Sequence, residues 1–175
     1  MPRRLVLVLV VVVAVAWLGF RAVRAFDTDR HAADAAAVLA APDKVTHQLL
    51  PVPAGFSRPD IESSGRFVYR PGTWLSVIDL EGPGPEPEPD PAERYLVFLR
   101  NWAGWTLAGA ARPGPDGRAQ VRSRAEPRPP TVYEVVVTWG VDEATSVPHG
   151  APVLHWFDGS LGPPRAVPFD FARGA

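Results

Sequence analysis

Residues Leu5 to Phe20, LVLVLVVVVAVAWLGF, run for sixteen positions without a charge or a strongly polar side chain. Such a stretch has no polar face to turn toward water, so its natural surroundings are lipid. As a helix it covers about 24 Å, against a hydrocarbon core about 30 Å thick, a length between a secretory signal and a full span. The flanks choose between the two. For an anchor, Ala22 and Val23 extend the helix while Arg21 and Arg24 snorkel toward headgroups, and Trp17 and Phe20 sit at the depth of an aromatic belt. For a cleaved signal, Val23 and Ala25 take the small-residue positions, but Arg24 between them makes a poor cutting site. The sequence favours an anchor over residues 1–26, with secretion after cleavage as the alternative.

Orientation rests on the opening residues. Arg3, Arg4 and the terminal amine hold the amino end in the cytoplasm, while Arg21, Arg24 and Arg30 on the far side weigh against that count. A short basic tail followed at once by an apolar helix is how an export signal begins. The expected address is therefore a single-pass cell-membrane protein whose C-terminal domain is extracytoplasmic, with the bilayer as its first partner.

The chain has 175 residues, and the portion beyond the anchor is enough for one ordinary domain. A net charge of −1 supplies no field for nucleic acid, so none is expected as a partner. There is no cysteine, which excludes disulfides, thiolate metal sites and cysteine nucleophiles. Twenty-one prolines and fifteen glycines suit short strands joined by many turns.

Residues 27–64 read as a juxtamembrane helix and a strap. Asp27-Thr28-Asp29 offers an N-cap for Arg30–Ala41, an alanine-dominated helix stopped by Pro42 and expected to lie on the membrane or act as a stalk. From Asp43 to Ser64 apolar residues alternate with prolines, as in an extended strap.

Residues 65–175 carry a different pattern. Arg66–Tyr69 and Thr73–Leu80 read as a hairpin about Arg70-Pro71-Gly72, and the proline-rich Gly82–Pro91 as a solvated polyproline-like connector. Arg94–Arg100 is the next strand, and Trp105–Arg112 turns through Pro113–Gly117 into Ala119–Arg124 as an expected second hairpin. Thr131–Gly140 is the longest strand, and its Val135-Val136-Val137 run suits burial on both faces. Val153–Phe157 comes next, and Val167, Phe169 and Phe171 alternate as an expected edge strand. Short strands spaced by turn signals define a mostly β chain, and the expected architecture is an immunoglobulin-like antiparallel β-sandwich.

The succession Tyr95, Ala108-Gly109, Asp116-Gly117, Val137-Thr138 and Pro152-Val153 resembles the extracytoplasmic domain of anti-sigma-K-type regulators, over roughly residues 66–157. The resemblance implies a shared sandwich and a sensing or interaction role, and it assigns no site residues. Trp139-Gly140 departs from the Glu-Pro usual there, and with Met1–Arg4 alone on the cytoplasmic side the chain is not expected to grip a sigma factor itself.

No HExxH, GxSxG or Walker loop occurs, so no enzyme activity and no cofactor are expected. Asp142, Glu143 and His149 are a weak metal candidate in the loop after the longest strand, better accounted for by loop polarity. The aromatic candidate is Asn101-Trp102-Ala103-Gly104-Trp105, where Asn101 shapes a connection and Trp102 and Trp105 either present indole faces to a sugar, peptide or protein, or fold over the sandwich edge as lids. Trp74, Trp139 and Trp156 are expected within strands. The resulting reading is a non-catalytic binding, sensing or assembly module of the bacterial envelope with a protein partner there. The alternatives are a structural subunit of a membrane complex and, less favoured, a metal-dependent envelope enzyme.

Overall fold

The computed structural model describes residues 12–13, 16–17, 32–53, 63–82, 92–123, 131–141, 145–162 and 168–171. The chain divides into two compact units, Met1–Ala36 and Ala37–Ala175. In the first, Val12, Val13, Ala16 and Trp17 are helical and exposed. The rest of the Leu5–Phe20 run lies outside the described residues, as do Arg3, Arg4, Arg21, Arg24 and the cap at Asp27–Asp29. Among the described residues, no helix is long and apolar enough to cross a membrane. Helix α1 spans 32–40, and its apolar positions Ala35 and Val38 are buried three residues apart, as one face of a helix requires.

The second unit is mostly β. Its strands are β1 (Val45–Pro51), β2 (Ser64–Tyr69), β3 (Ser76–Glu81), β4 (Glu93–Asn101), β5 (Gly104–Ala111), β6 (Arg118–Ser123), β7 (Glu134–Val141) and β8 (Ala151–Phe157). They form one antiparallel sheet in the order β5-β4-β7-β8-β1-β2-β3-β6, and its two end strands, β5 and β6, approach each other so that the sheet is nearly closed. β1 joins the halves by changing partner: Val45–Leu49 pair with β2, whereas Leu50 and Pro51 pair with β8.

β1 corrects the expected strap. Prolines at 42, 51 and 53 bound the segment, but between them the sequence VTHQL buries every second position to some degree, the signature of a half-covered strand. The second expected hairpin is also corrected. Asp116-Gly117 does turn the chain, with the Gly114 N–H donating to the Arg118 carbonyl at 2.7 Å, yet β5 pairs with β4 and β6 pairs with β3. The turn carries the chain across the open seam instead of closing a ladder. The expected edge strand at the tail does not form either: 168–171 has no strand structure, and Val167 lies outside the described residues. Trp74 precedes β3 in a bend and is 49% exposed, whereas Trp139 is buried within β7.

β7 is buried from Glu134 to Gly140 on both faces. Its odd positions, Val135, Val137 and Trp139, enter the main core with Phe67, Ile78, Leu80, Tyr95, Val97, Leu99 and Leu154. Trp139 also donates its indole N–H to Glu93 at 2.9 Å and meets Tyr95 edge-on at 4.9 Å. The even positions face outward and need a second cover. Part of it comes from the loop before β8: Gly150 lies against Gly140, and the His149 ring meets Phe98 edge-on at 5.2 Å.

Gly150 has φ of 82°, and a Cβ there would stand 2.7 Å from the Trp139 carbonyl oxygen. Gly72 has a similar φ of 80° in open space. Gly72→Ala is therefore expected to cost about 1 kcal/mol from backbone conformation alone. Gly150→Ala, which adds a collision with main chain that has nowhere to move, is expected to cost at least about 2 kcal/mol. Urea midpoints followed by tryptophan fluorescence check the ordering.

Candidate functional site

The β4–β5 hairpin is tight: Asn101 pairs with Gly104, leaving Trp102-Ala103 as the two-residue tip. Asn101 fixes it from within, its Oδ1 accepting the Ala103 N–H at 2.9 Å. The Trp102 indole N–H donates to the Leu161 carbonyl at 3.0 Å, and the ring is 66% exposed. Leu161 closes a turn begun by Asp158, whose Oδ1 accepts from the Ser160 N–H and hydroxyl at 2.9 and 2.6 Å. Those Ser160 bonds hold the Asp158 carboxyl below its ordinary 3.8. The tip is thus a preorganised apolar face whose polar atom is already engaged, so the Trp102 ring offers a ligand its apolar surface and not its N–H. Trp105 behaves differently. It is half-buried, with the Arg100 guanidinium 5.3 Å above its ring and Phe169 edge-on at 5.7 Å, so the two indoles do not act as a pair.

Beneath Trp105 lies a centre that no motif in the sequence announces. Glu134, the first residue of β7, is fully buried. Its Oε2 accepts from the Arg100 guanidinium at 2.9 Å. Its Oε1 lies 3.0 Å from His155 Nε2 and accepts the main-chain N–H of Phe169. Arg100 is sandwiched between Trp105 and Tyr133, at 5.3 and 5.6 Å, while Phe171 stands edge-on to both His155 and Phe169 at 5.2 Å. A carboxylate taken out of water needs partners of this number and charge. The signal present in the sequence is a lone acid in TVYEVVVTWG, since a charge placed among valines either faces water or is paired. Because Glu134 is enclosed, the geometry uses it to hold the tail onto the outer face of β4, β7 and β8.

Of the weak metal candidates, Asp142 and Glu143 lie outside the described residues, and the His149 ring nitrogens lie 3.1 and 3.2 Å from the Val147 and Val141 carbonyls. Among the described residues, no group of three or more His, Cys, Asp or Glu side chains is placed to hold a metal ion. A polar groove of about 340 Å³ runs over the outer face of β1, β2, β3 and β6, lined in part by Gln48, Ser64 and Gly65. Its charges pair within it, Arg66 with Asp79 at 2.7 Å and Arg118 with Glu81 at 2.6 Å.

A third feature is His47, whose ring lies 4.1 Å from the Trp156 centroid and 6.0 Å from those of Phe67 and Tyr69. Its Nε2 is buried with no hydrogen-bond partner among the described residues. Burial holds this imidazole below its ordinary 6.5, against a smaller opposing pull from Asp158. No family model, no curated protein and no solved structure matches this chain.

These clusters carry two expected outcomes. Removing Glu134 takes the acceptor from Arg100, His155 and the Phe169 amide together, so Glu134→Ala is expected to cost about 3–5 kcal/mol, while Glu134→Gln, which keeps an acceptor oxygen in place, costs less. Urea denaturation of the three proteins measures this. For His47, a folded pKa below the unfolded one means that its contribution is present above about 6.5 and is lost as pH falls through 6.5 toward the folded value. Asp43 and Asp158, both lowered from 3.8, give up theirs only near and below that pH, a separate window. The urea midpoint is expected to drop between about pH 7.5 and about pH 5.5, and His47→Phe, which keeps a stacked ring, to flatten that drop.

Proposed function

We propose that this chain is a membrane-tethered, extracytoplasmic β-sandwich of immunoglobulin-like type that works by binding, as a sensing or assembly component of the bacterial envelope. The observation that carries the reading is Trp102: a large apolar ring held rigidly at a hairpin tip, exposed, with its N–H satisfied internally. A protein gains nothing in stability by leaving such a surface in water, and surfaces of this kind mark contacts. The tether is supported by the Leu5–Phe20 run and the basic residues before it. The sandwich is supported by β1, which leaves β2 for β8 midway along its length, as a strand does when it passes from one layer to another. The sensing role is the one implied by the resemblance to anti-sigma-K-type extracytoplasmic domains.

A reporter enzyme active only outside the cytoplasm, fused after Ala175, is expected to be active, and the protein to stay in the membrane pellet through alkaline carbonate washing. An inactive but well-expressed fusion would reverse the orientation. Release by carbonate would remove the tether.

A further inference from the structure

The strand register sorts the loops of the sheet between two ends. β1 starts where β2 stops, since Val45 pairs with Tyr69, and β2 turns there through Pro71-Gly72 into β3. β1 runs antiparallel to β8, so the end of β8 at Phe157 lies at the same end, and Phe157 pairs with Glu134, which pairs with Arg100 next to the β4–β5 tip. Trp74 and Trp102 therefore share one end of the sheet. It is also the end at which the chain arrives from its N-terminal side. The arrival point is fixed there by Asp43, which pairs with Arg70 at 3.0 Å; Arg70 in turn accepts the Thr73 hydroxyl at its carbonyl, one residue from Trp74.

The two ends differ in chemistry. The opposite end exposes aliphatic side chains, Val141 and Val147 at the base of the loop after β7 and Leu50 next to the last residue of β1. The arrival end exposes two indoles, the side chain enriched at membrane–water interfaces, where a flat amphipathic ring sits at headgroup level. Charge at this end is balanced, Asp43 pairing with Arg70 and the exposed Lys44 being offset by the Asp158 carboxylate in the turn beneath Trp102, so the indoles and not a net charge distinguish it. With its N–H given to Leu161, Trp102 offers the apolar part of its ring without leaving an unsatisfied donor in the interface.

We infer that the end of the sheet carrying Trp74 and Trp102 rests on the phospholipid surface, so that the module lies against the bilayer through its indoles and turns the Val141–Gly150 end outward. This rests on the reading of the chain as membrane-tethered and names the surface that the exposed indole meets. The strands are long enough to tell the ends apart: a nine-residue strand such as β4 spans about 30 Å.

The absence of cysteine makes the test direct. Ala103→Cys, beside Trp102, and Val147→Cys, at the far end, are each labelled with nitrobenzoxadiazole in the full chain and reconstituted into vesicles of phosphatidylcholine and phosphatidylglycerol. The expected result is a blue-shifted Ala103→Cys signal, several-fold less quenched by aqueous iodide than the Val147→Cys signal, with the protection abolished when Trp74→Ser and Trp102→Ser are added. If the chain sediments with the vesicles but both labels are equally quenched, lipid docking is overturned while the tether stands. If the chain floats free of vesicles, the tether itself fails. Protection of Ala103→Cys in native membranes but not in pure lipid overturns the proposal in favour of a protein partner.

Discussion

A strand buried on both faces has to be covered on both, and β7 imposes that requirement on everything around it. Its seven consecutive buried residues bring Val135, Val137 and Trp139 into the main core and leave Glu134, Val136, Thr138 and Gly140 facing the other way. One sheet curving on itself covers the first set. The second set needs chain from elsewhere, and the fold supplies it from the loop ending at Gly150 and from the tail at Phe169 and Phe171. Glu134 ties the tail down, because a buried carboxylate leaves any structure in which Arg100, His155 and the Phe169 amide are not all present at a serious disadvantage.

The same requirement explains which parts of the structure were legible in the sequence. The three valines of β7 announced burial on both faces, because that signal is local; the strand runs Glu134–Val141, starting three residues later than expected and one residue shorter than β4. The hairpin expected at Asp116-Gly117 failed for the opposite reason. Turn chemistry says where a chain reverses but not which strands it then joins, and pairing was decided by matching β5 to β4 and β6 to β3. β1 was hidden by its flanking prolines, which are tolerated because Pro42 precedes the strand and Pro51 ends it. The Glu134 centre was half-visible: the lone acid stands out, but Arg100, His155 and Phe169 lie 34, 21 and 35 residues away, and only the register brings them together. Trp102 and Trp105 are indistinguishable in sequence, and their different fates come from the tail, which covers one and leaves the other in the open.

The functional reading inherits this division of labour. On the proposed reading the buried polar centre serves the fold, and the surface put forward for contact is the indole-bearing end of the sheet. A domain without cysteines, held by its core and one clamped tail, can expose an indole there because the Leu161 carbonyl fixes the ring's orientation without hiding it. The cost of exposing that area is recovered only when something of low polarity meets it.

The claim on which this account turns is that the tail completes the outer face of β7 through Glu134. Hydrogen–deuterium exchange of the intact chain, read at single amides, tests it most directly. The Phe169 amide, in a segment without strand or helix, should exchange far more slowly than a free peptide and in step with Val135–Val137. A Phe169 amide that exchanges like an unstructured peptide while β7 stays protected would contradict it.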